Sequence, residues 1–440
     1  MKKEASMKTC SIKQISRFIT VVTFVICFTS QAYAGSTARA SVATEGVQWS
    51  NTSDAGVMSA DGRYVAFHSY GSNPFLNSIY VHDRQNGTTE IVSLSSQGVQ
   101  ANGNCINPSL SADGRYVAFI SYATNLIPGD TNGQPDVFVR DLQTGITERV
   151  SVSSSGEQAN GGATSLTISA DGRYVAFSSY ANNLVPGDTN GPGDAGLDVF
   201  IHDRITGATE RVSVSNDGSQ GNNGSSNPVV SAEGRFVAFV SNATNLVAGD
   251  TNGMSDVFLR DRQTLATERI SLSNSGGEGN GASYNPAMSG DARFFAFLST
   301  ATNLVPADTN NAWDVFVRDR VTGSTERVNV SSSGVQANYS TFNRPAISND
   351  GRRIVFDSWA TNLVENDANG FIADIFLHDR QSGITELVSV SSAGVQGNGS
   401  SYRPSLTPDG SFVVFSSWAT NLVSGDTNGK YDVFVRSLDQ

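Results

Sequence analysis

The sequence is poor in three residue types that carry chemistry in proteins, namely cysteine, histidine and, beyond residue 34, lysine. Of 440 residues, 3 are Cys and 4 are His, and beyond residue 34 only Cys105 and Lys430 remain of cysteine and lysine. One cysteine excludes an intrachain disulfide there, and four scattered histidines exclude a histidine-rich metal cluster. Stability must therefore come mainly from packing.

Positive charge is scarce as well. The 29 Lys and Arg residues stand against 41 Asp and Glu, which gives a net charge of −12. Because residues 1–34 hold five basic side chains and one acid, the other 406 residues carry −16. Binding to a nucleic-acid backbone needs a basic surface, so a nucleic-acid partner is excluded.

The sequence has only one notable apolar run, and it is short. The run covers residues 18–28, follows Lys2, Lys3, Lys8, Lys13 and Arg17, and precedes an Ala-Tyr-Ala triplet at 32–34. Its 11 residues fall well below the roughly 20 needed to cross a bilayer. This pattern predicts a signal peptide over 1–34. Residues 35–440 are then expected to be an exported, soluble monomer, periplasmic or secreted, without a membrane span.

What the sequence does have is a repeat. A nine-residue unit, SADGRYVAF in its most frequent form, recurs seven times with a mean spacing of 58 residues. Its copies begin at Ser59, Ser111, Ser169, Ser231, Ser289, Ser348 and Thr407. Self-similarity at a fixed period indicates a repeat architecture.

Each repeat contains four short β-patterns bounded by turn residues. In the second repeat they cover 108–111, 116–121, 136–141 and 147–153. The second and third patterns are apolar on both faces, as expected of strands packed between two neighbouring sheets. Four strands repeated radially predict an all-β, seven-bladed β-propeller that forms a single domain over 35–440. The long connections, second to third strand and fourth to first, are expected at the same end of the propeller.

The repeat is also split in a way that predicts closure of the ring. The chain ends after a third strand at 432–436, while residues 39–46 align with residues 149–156 of a fourth strand. The N-terminal strand is therefore predicted to complete the seventh blade by pairing with 432–435, which removes an exposed sheet edge. An open solenoid is the alternative, and it would not need this split.

The repeat resembles a known family. The pattern P-x-x-S-x-D-G-x-x-[IV]-A-F followed by D-V-F-V-x-D is similar to the WD-like repeat of TolB-type β-propellers, and it covers essentially all of residues 35–440. The resemblance implies exported propellers that bind proteins or accompany hydrolases. This chain has a longer period than that family. It is expected to lack an appended catalytic or N-terminal domain.

Six of the seven loops between the second and third strands share an Asp-x-Asn pattern followed by another Asp. The candidate ligands are Asp130, Asn132 and Asp136; Asp188, Asn190 and Asp194 or Asp198; Asp250, Asn252 and Asp256; Asp308, Asn310 and Asp314; Asp367, Asn369 and Asp374; and Asp426, Asn428 and Asp432. Oxygen ligands in a Gly-containing turn suit Ca²⁺. The loops resemble the later part of integrin-type calcium loops, without the first carboxylate of that pattern. The alternative is an Asx-type turn whose last Asp accepts bonds from the backbone.

Departures from the repeat concentrate in two neighbouring blades. Blades 6 and 7 carry Arg344, Asp357, Trp359, Tyr402, Arg403 and Trp418, near the end where first strands begin and second strands end. Trp and Tyr rings stack on sugars or anchor peptides, and Arg binds carboxylates. This set is the predicted ligand site; ordinary loop packing is the alternative.

Two functional hypotheses follow. The first is an exported, calcium-stabilised binding propeller whose loop-rich face takes a protein, peptide or glycan. The second is a lyase or hydrolase acting on an extracellular polymer, with Asp357 and His68 as the distinctive acid and base candidates. His82, His202 and His378 are expected to be surface substitutions for an Arg of the third strand. The sparse histidines favour the binding hypothesis, with no catalytic residue assigned.

Overall fold

The structure is a computed structural model that describes residues 35–70, 76–190 and 196–438. The predicted signal peptide over 1–34 lies outside the described residues. All described residues belong to the compact unit Tyr33–Gln440, and they form 28 β-strands and one 3-10 turn at Thr44–Gly46.

After the first strand, β1 at Thr37–Arg39, the strands follow one another in blades. Blade 1 holds β2 Ser53–Met58, β3 Tyr64–Ser69, β4 Ser78–Asp83 and β5 Thr88–Ile91; blade 2 holds β6 Cys105–Leu110, β7 Tyr116–Ser121, β8 Asp136–Asp141 and β9 Thr147–Arg149. Blade 3 holds β10 Ala163–Ile168, β11 Tyr174–Ser179, β12 Asp198–Asp203 and β13 Thr209–Arg211; blade 4 holds β14 Ser225–Val230, β15 Phe236–Ser241, β16 Asp256–Asp261 and β17 Ala266–Arg269. Blade 5 holds β18 Ser283–Met288, β19 Phe294–Ser299, β20 Asp314–Asp319 and β21 Ser324–Arg327; blade 6 holds β22 Ala346–Ile347, β23 Arg353–Ser358, β24 Asp374–Asp379 and β25 Ile384–Leu387. Blade 7 holds β26 Ser401–Leu406, β27 Phe412–Ser417 and β28 Asp432–Ser437.

The seven sheets form a seven-bladed β-propeller, as the repeat predicts. Within each blade consecutive strands pair antiparallel, and the first strands contact one another in a closed ring that runs from β2 through β26 and back to β2. The N-terminal strand β1 lies against β28, with Ala38 opposite Val435. Closure by the N-terminal strand is therefore confirmed.

The core lies between the blades. Seven clusters of buried apolar side chains each combine residues of two neighbouring blades. Second and third strands supply most of them because both faces of these strands are covered, as in blade 2, where Phe119 and Phe138 have ring centroids 6.0 Å apart. A propeller buries its sheets by stacking them around an axis, so no blade needs a core of its own.

The hairpin between the first and second strands explains the Asp-Gly of the repeat. Asp113 accepts hydrogen bonds from the Ser111 hydroxyl at 2.6 Å and the Arg115 amide at 3.0 Å, which closes the turn. Gly114 has a φ of 75°, and a Cβ there would lie 2.2 Å from the Tyr64 ring of the preceding blade. Glycine is required both by the backbone conformation and by this close approach.

The strand bounds predicted for the second repeat hold for its two middle strands and shift for its first and fourth strands. In blade 2 the second and third strands match the prediction, while the first begins at Cys105 instead of 108 and the fourth ends at Arg149 instead of 153. The closing strand covers Thr37–Arg39 and continues as a bond from the Ala40 amide to the Val433 carbonyl, so it starts two residues earlier than predicted.

Candidate functional site

The loops with the Asp-x-Asn pattern are hydrogen-bonded networks. In blade 2, Asp136 is fully buried and accepts from the Ser151 hydroxyl at 2.6 Å, while its other oxygen accepts from Asn132 and Gln158 at 3.2 and 3.0 Å. The same Gln158 amide donates to Asp130 at 2.9 Å. The two predicted carboxylate ligands therefore converge, as the spacing implies, but protein donors hold them.

A guanidinium lies between the two carboxylates in five of the six loops. In blade 2, Arg149 Nη1 is 3.6 Å from Asp130 and 3.3 Å from Asp136. Its counterparts are Arg211 with Asp188 and Asp198, Arg269 with Asp250 and Asp256, Arg327 with Asp308 and Asp314, and Arg39 with Asp426 and Asp432. An arginine of the fourth strand thus occupies the place expected of a cation. In blade 3 the second carboxylate is Asp198; Asp194, the alternative, lies outside the described residues.

Blade 6 is the exception among these loops. Leu387 stands at the position of the arginine, so Asp367 and Asp374 share only the Gln396 amide, at 2.9 and 2.8 Å. Burial raises the pKa of Asp374 to about 6. The Asn369 Oδ1 atom is buried and has no hydrogen-bond partner. Among the residues that the structure describes, no group of three or more His, Cys, Asp or Glu side chains converges as metal ligands do.

The structure brings the predicted aromatic residues of blades 6 and 7 together. The ring of Trp359 lies 6.5 Å from that of Tyr402, which lies 6.4 Å from Tyr431, and Tyr431 lies 4.7 Å from Trp418. Trp418 remains 49% exposed, and its indole donates to the Gly429 carbonyl at 3.1 Å. Tyr431 is a member of this row that the sequence did not single out.

The two predicted arginines have different surroundings. Arg403 forms an ion pair with Asp54 of blade 1 at 2.8 Å, and Asp54 lies opposite His68 in the pairing of β2 with β3. Within the described residues Arg344, which is half-buried, makes no ion pair or hydrogen bond. Burial lowers the pKa of Arg344 to about 10.

Asp357 is buried in the second strand of blade 6. It is fully inaccessible to solvent, and its Oδ2 accepts from the Asn343 amide at 3.2 Å while its Oδ1 has no partner. Burial raises the pKa of Asp357 to about 6. The His68 ring is also mostly buried, its Nδ1 has no partner, and burial lowers its pKa. Both residues are therefore unlike their apolar or hydroxyl-bearing counterparts in other blades.

The loop-bearing end of blade 6 exposes further aromatic residues that the sequence analysis missed. Phe342 and Phe371 are 55% and 62% exposed, and Tyr339 packs edge-on against Phe371 with centroids 5.0 Å apart. The sequence could have indicated Phe371, because none of the other five loops with the Asp-x-Asn pattern has an aromatic residue four positions after its first Asp.

One cleft lies away from the aromatic residues of blades 6 and 7. A cleft of about 540 Å³ between blades 7 and 1 is lined by residues such as Arg39, Glu45 and His82, and by none of the predicted ligand residues.

The expectation that His82, His202 and His378 lie on the surface is wrong: all three are at most 7% exposed. Within the described ranges, no helix is both long enough and apolar enough to span a bilayer.

Comparison with known proteins supports the fold. No protein-family model and no curated protein matches the chain. An oligogalacturonate lyase in complex with manganese superposes with a TM-score of 0.57 at 13% identity, over 93% of this chain and 95% of that chain. The β-propeller domain of the trilobed protease from Pyrococcus furiosus gives 0.52 at 12% identity, over 83% and 91%.

TolB from Acinetobacter baumannii is also similar, with a TM-score of 0.44 at 14% identity, over 81% of this chain and 66% of that chain. At such identities the lyase and the protease domain show a shared propeller fold and nothing about activity. The TM-score of the TolB match is below 0.5, so this match carries no further argument about the fold.

Proposed function

We propose that the protein is an exported binding propeller whose ligand site is the loop-bearing end of blades 6 and 7. The observation that carries the proposal is the row of rings from Trp359 through Tyr402 and Tyr431 to Trp418. Blade 6 also holds Arg344, which makes no ion pair or hydrogen bond within the described residues. Partly exposed Trp and Tyr rings are typical anchors in binding sites because they bury much area at little entropic cost. The ligand is a protein, peptide or glycan.

The test compares two pairs of alanine substitutions. Trp359→Ala with Trp418→Ala removes both ends of the row, whereas Tyr122→Ala with Tyr180→Ala removes exposed rings from blades 2 and 3. We expect the tryptophan pair to abolish binding to ligands found in a glycan and peptide array, and the tyrosine pair to reduce it less than threefold. Equal losses from both pairs, or none from either, would mean that the row is loop packing.

Calcium stabilisation is the second part of the proposal. Five loops already hold a guanidinium between their two carboxylates, so Ca²⁺ there would have to displace it. Blade 6, with Leu387 at that position, is where Ca²⁺ would bind beside Asp367 and Asp374 by displacing only a neutral amide, that of Gln396, and no guanidinium. Export rests on the pattern of residues 1–34.

An enzyme that acts on an extracellular polymer is the second candidate. It is favoured by one observation, the burial of Asp357, which raises the pKa of that carboxyl to about 6 and so suits proton transfer near neutral pH. Asp357→Asn should then abolish cleavage of an oligosaccharide while leaving its binding intact. Binding without any cleavage by the unaltered protein would leave only the first candidate.

A further inference from the structure

One ion pair joins the first strands of blades 7 and 1 where these strands begin. Arg403 Nη1 lies 2.8 Å from Asp54 Oδ2. Both residues depart from the repeat: no other blade has an acid at the position of Asp54, and the position of Arg403 holds Asn in blades 2, 4 and 5. Two departures in neighbouring blades that complement each other in charge point to a role for the pair.

The backbone at Arg403 argues against a purely structural role. Its φ is 54°, in the left-handed region, and Asn107, Asn227 and Asn285 at the same position of blades 2, 4 and 5 have φ values of 53°, 53° and 54°. Asparagine tolerates this region better than most residues because its short amide can bond locally. Arg403 therefore keeps a backbone conformation that the asparagine of the repeat would make less costly. Such strain is concentrated at functional sites.

The ion pair borders the same accessible surface as the row of rings. The Ser53 amide donates to the Tyr431 carbonyl at 2.9 Å, which brings the start of β2 against the residue before β28. Burial raises the pKa of Tyr431; Tyr402 and Asp54 add to this rise and Arg403 opposes it, so these groups are close neighbours. The side chains of Arg403 and Asp54 are 48% and 23% exposed, and both tyrosines are half-buried. All four side chains therefore reach solvent.

The pair has hydrogen-bonding capacity left for a ligand. Asp54 Oδ1 accepts from the Ala55 amide at 2.7 Å, and each carboxylate oxygen has a second lone pair. Arg403 carries five N–H donors and directs only Nη1 at Asp54. Acceptors and donors thus lie side by side without net charge. An anion would have to compete with Asp54 for the guanidinium and would meet the −16 charge of residues 35–440, whereas a neutral ligand leaves the pair intact.

We infer that this surface binds a neutral polysaccharide, whose adjacent hydroxyl groups bridge Asp54 and Arg403 while its sugar rings stack on Tyr431 and Trp418. A hydroxyl both donates and accepts, so two neighbouring hydroxyls satisfy the carboxylate and the guanidinium together. A trans peptide amide directs its N–H and C=O in opposite directions and cannot reach both. The inference rests on the proposed function, since it names the class of ligand that the site takes.

The geometry of the row also suits a chain of sugars. Successive rings from Trp359 to Trp418 are tilted by 44°, 54° and 57° to one another, so they do not form one flat surface. A rigid planar ligand could stack on only one of them. Sugar rings joined by rotatable glycosidic bonds can follow such a curved row and present an apolar face to more than one ring.

The experiment measures retardation of the purified protein in native gels that contain a soluble polysaccharide, relative to a reference protein that does not bind. The neutral polymers are galactomannan, arabinoxylan and dextran; the anionic polymers are polygalacturonate and alginate. We expect at least one neutral polymer to retard the protein and neither anionic polymer to do so. Peptides of the array are expected not to bind.

Two substitutions test the pair itself. Asp54→Asn should weaken binding to the neutral polymer at least about tenfold, as expected when a hydrogen bond to a charged group is lost. It should also create retardation by polygalacturonate, because Arg403 is then free for a carboxylate. Arg403→Asn should weaken binding as much, yet its melting temperature should equal or exceed that of the unaltered protein, because Asn suits the positive φ.

The matched control is Glu268→Gln. It removes the acid of another exposed pair between blades, with Arg320 at 2.6 Å, and changes the net charge as Asp54→Asn does. Its affinity should change less than about twofold, since exposed ion pairs contribute little to stability.

Retardation by no neutral polymer, equal retardation by an anionic polymer, or binding to peptides alone would overturn the inference. Unchanged binding by Arg403→Asn, or lost binding together with a lowered melting temperature, would overturn it as well. The proposed function survives each of these results if the Trp359 and Trp418 pair of substitutions still abolishes binding to the array.

Discussion

At the residue scale, one contact recurs in every blade and explains the buried histidines. A third-strand side chain donates to a threonine of the fourth strand: Arg140 to Thr147 at 2.9 Å in blade 2, and His202 to Thr209 at 2.8 Å in blade 3. Thr209 in turn donates its only hydroxyl hydrogen to Val152 of the preceding blade. The Thr209 hydroxyl can therefore only accept from His202, which places a hydrogen on His202 Nδ1. Arg and His thus both act as hydrogen-bond donors to this threonine.

This contact leads to a pH prediction. Burial lowers the pKa of His82, His202 and His378 below the unfolded value of about 6.5. The unfolded chain therefore binds more protons, and the contribution to stability is present above pH 6.5 and is lost as the pH falls below it. Replacing all three by Arg should reduce the loss of melting temperature between pH 7.5 and 5.5.

The matched comparison is the unaltered protein over the same range, because the buried aspartates titrate equally in both. A difference of a few °C is expected, since about 1 kcal/mol corresponds to roughly 2 °C in a chain of this size. Parallel pH profiles for the two proteins would show that folding does not change the pKa of the three histidines, and would contradict the prediction.

At the element scale, the sequence predicted the strands, which depend on local patterns of apolar residues, but not the side-chain contacts that depend on how the strands pair. The strands Tyr116–Ser121 and Asp136–Asp141 were predicted correctly because apolar residues stand on both faces and turn residues mark both ends. The guanidinium of Arg149 between Asp130 and Asp136 was not predicted. Arg149 recurs after Thr-Glu in most fourth strands, but it lies 13 residues from Asp136 along the chain. Only the pairing of the third with the fourth strand shows that these side chains meet.

The loops of blades 5 and 6 form a natural pair for a second prediction. Arg327→Leu in blade 5 leaves Asp308 and Asp314 without their cation and should cost about 3 kcal/mol, because one partner of a buried pair is removed. Leu387→Arg in blade 6 supplies the missing guanidinium. We expect millimolar Ca²⁺ to raise the melting temperature of the unaltered protein and of Arg327→Leu, but not of Leu387→Arg.

The measurement is thermal unfolding in chelator, Ca²⁺ and Mg²⁺. Mg²⁺ should substitute poorly because it demands stricter octahedral geometry. At a hundredfold excess over Kd, one site stabilises by about 2.7 kcal/mol. Identical melting curves in chelator and Ca²⁺ for both the unaltered protein and Arg327→Leu would reduce the Asp-x-Asn pattern to a turn.

At the scale of the whole molecule, the interfaces between blades are not equivalent. Ion pairs join blades 2 to 3, 3 to 4, 4 to 5 and 5 to 6, for example Arg320 with Glu268 at 2.6 Å. The arginine position holds Leu142 and Leu438 at the interfaces of blades 1 with 2 and 6 with 7, and the glutamate position of blade 7 holds Ala38. Each exposed pair contributes little. The interface of blades 7 and 1 has a different ion pair, that of Arg403 with Asp54 at 2.8 Å.

The closing strand itself supplies contacts that nothing else in blade 7 can replace. Arg39 lies between Asp426 and Asp432, the Ser41 hydroxyl donates to Asp432 at 2.6 Å, and Thr37 donates to the Val390 carbonyl at 2.6 Å. Ala40 belongs to the apolar cluster between blades 7 and 1. Removing this segment would expose the edge of β28 and leave two buried carboxylates without their guanidinium.

Deletion of residues 35–47 is therefore the last prediction. We expect it to destabilise the protein by at least about 3–5 kcal/mol, the cost of breaking one buried ion pair, and to promote aggregation through the exposed edge. Thermal unfolding and size-exclusion chromatography measure the two effects. A synthetic peptide of residues 35–47, added in excess, should restore both by pairing with β28, whereas a peptide with Ala38→Pro, which lacks a backbone donor, should not. An unchanged melting temperature after the deletion would contradict stabilisation of the ring by this strand. It would mean that the other blade interfaces alone hold the propeller together.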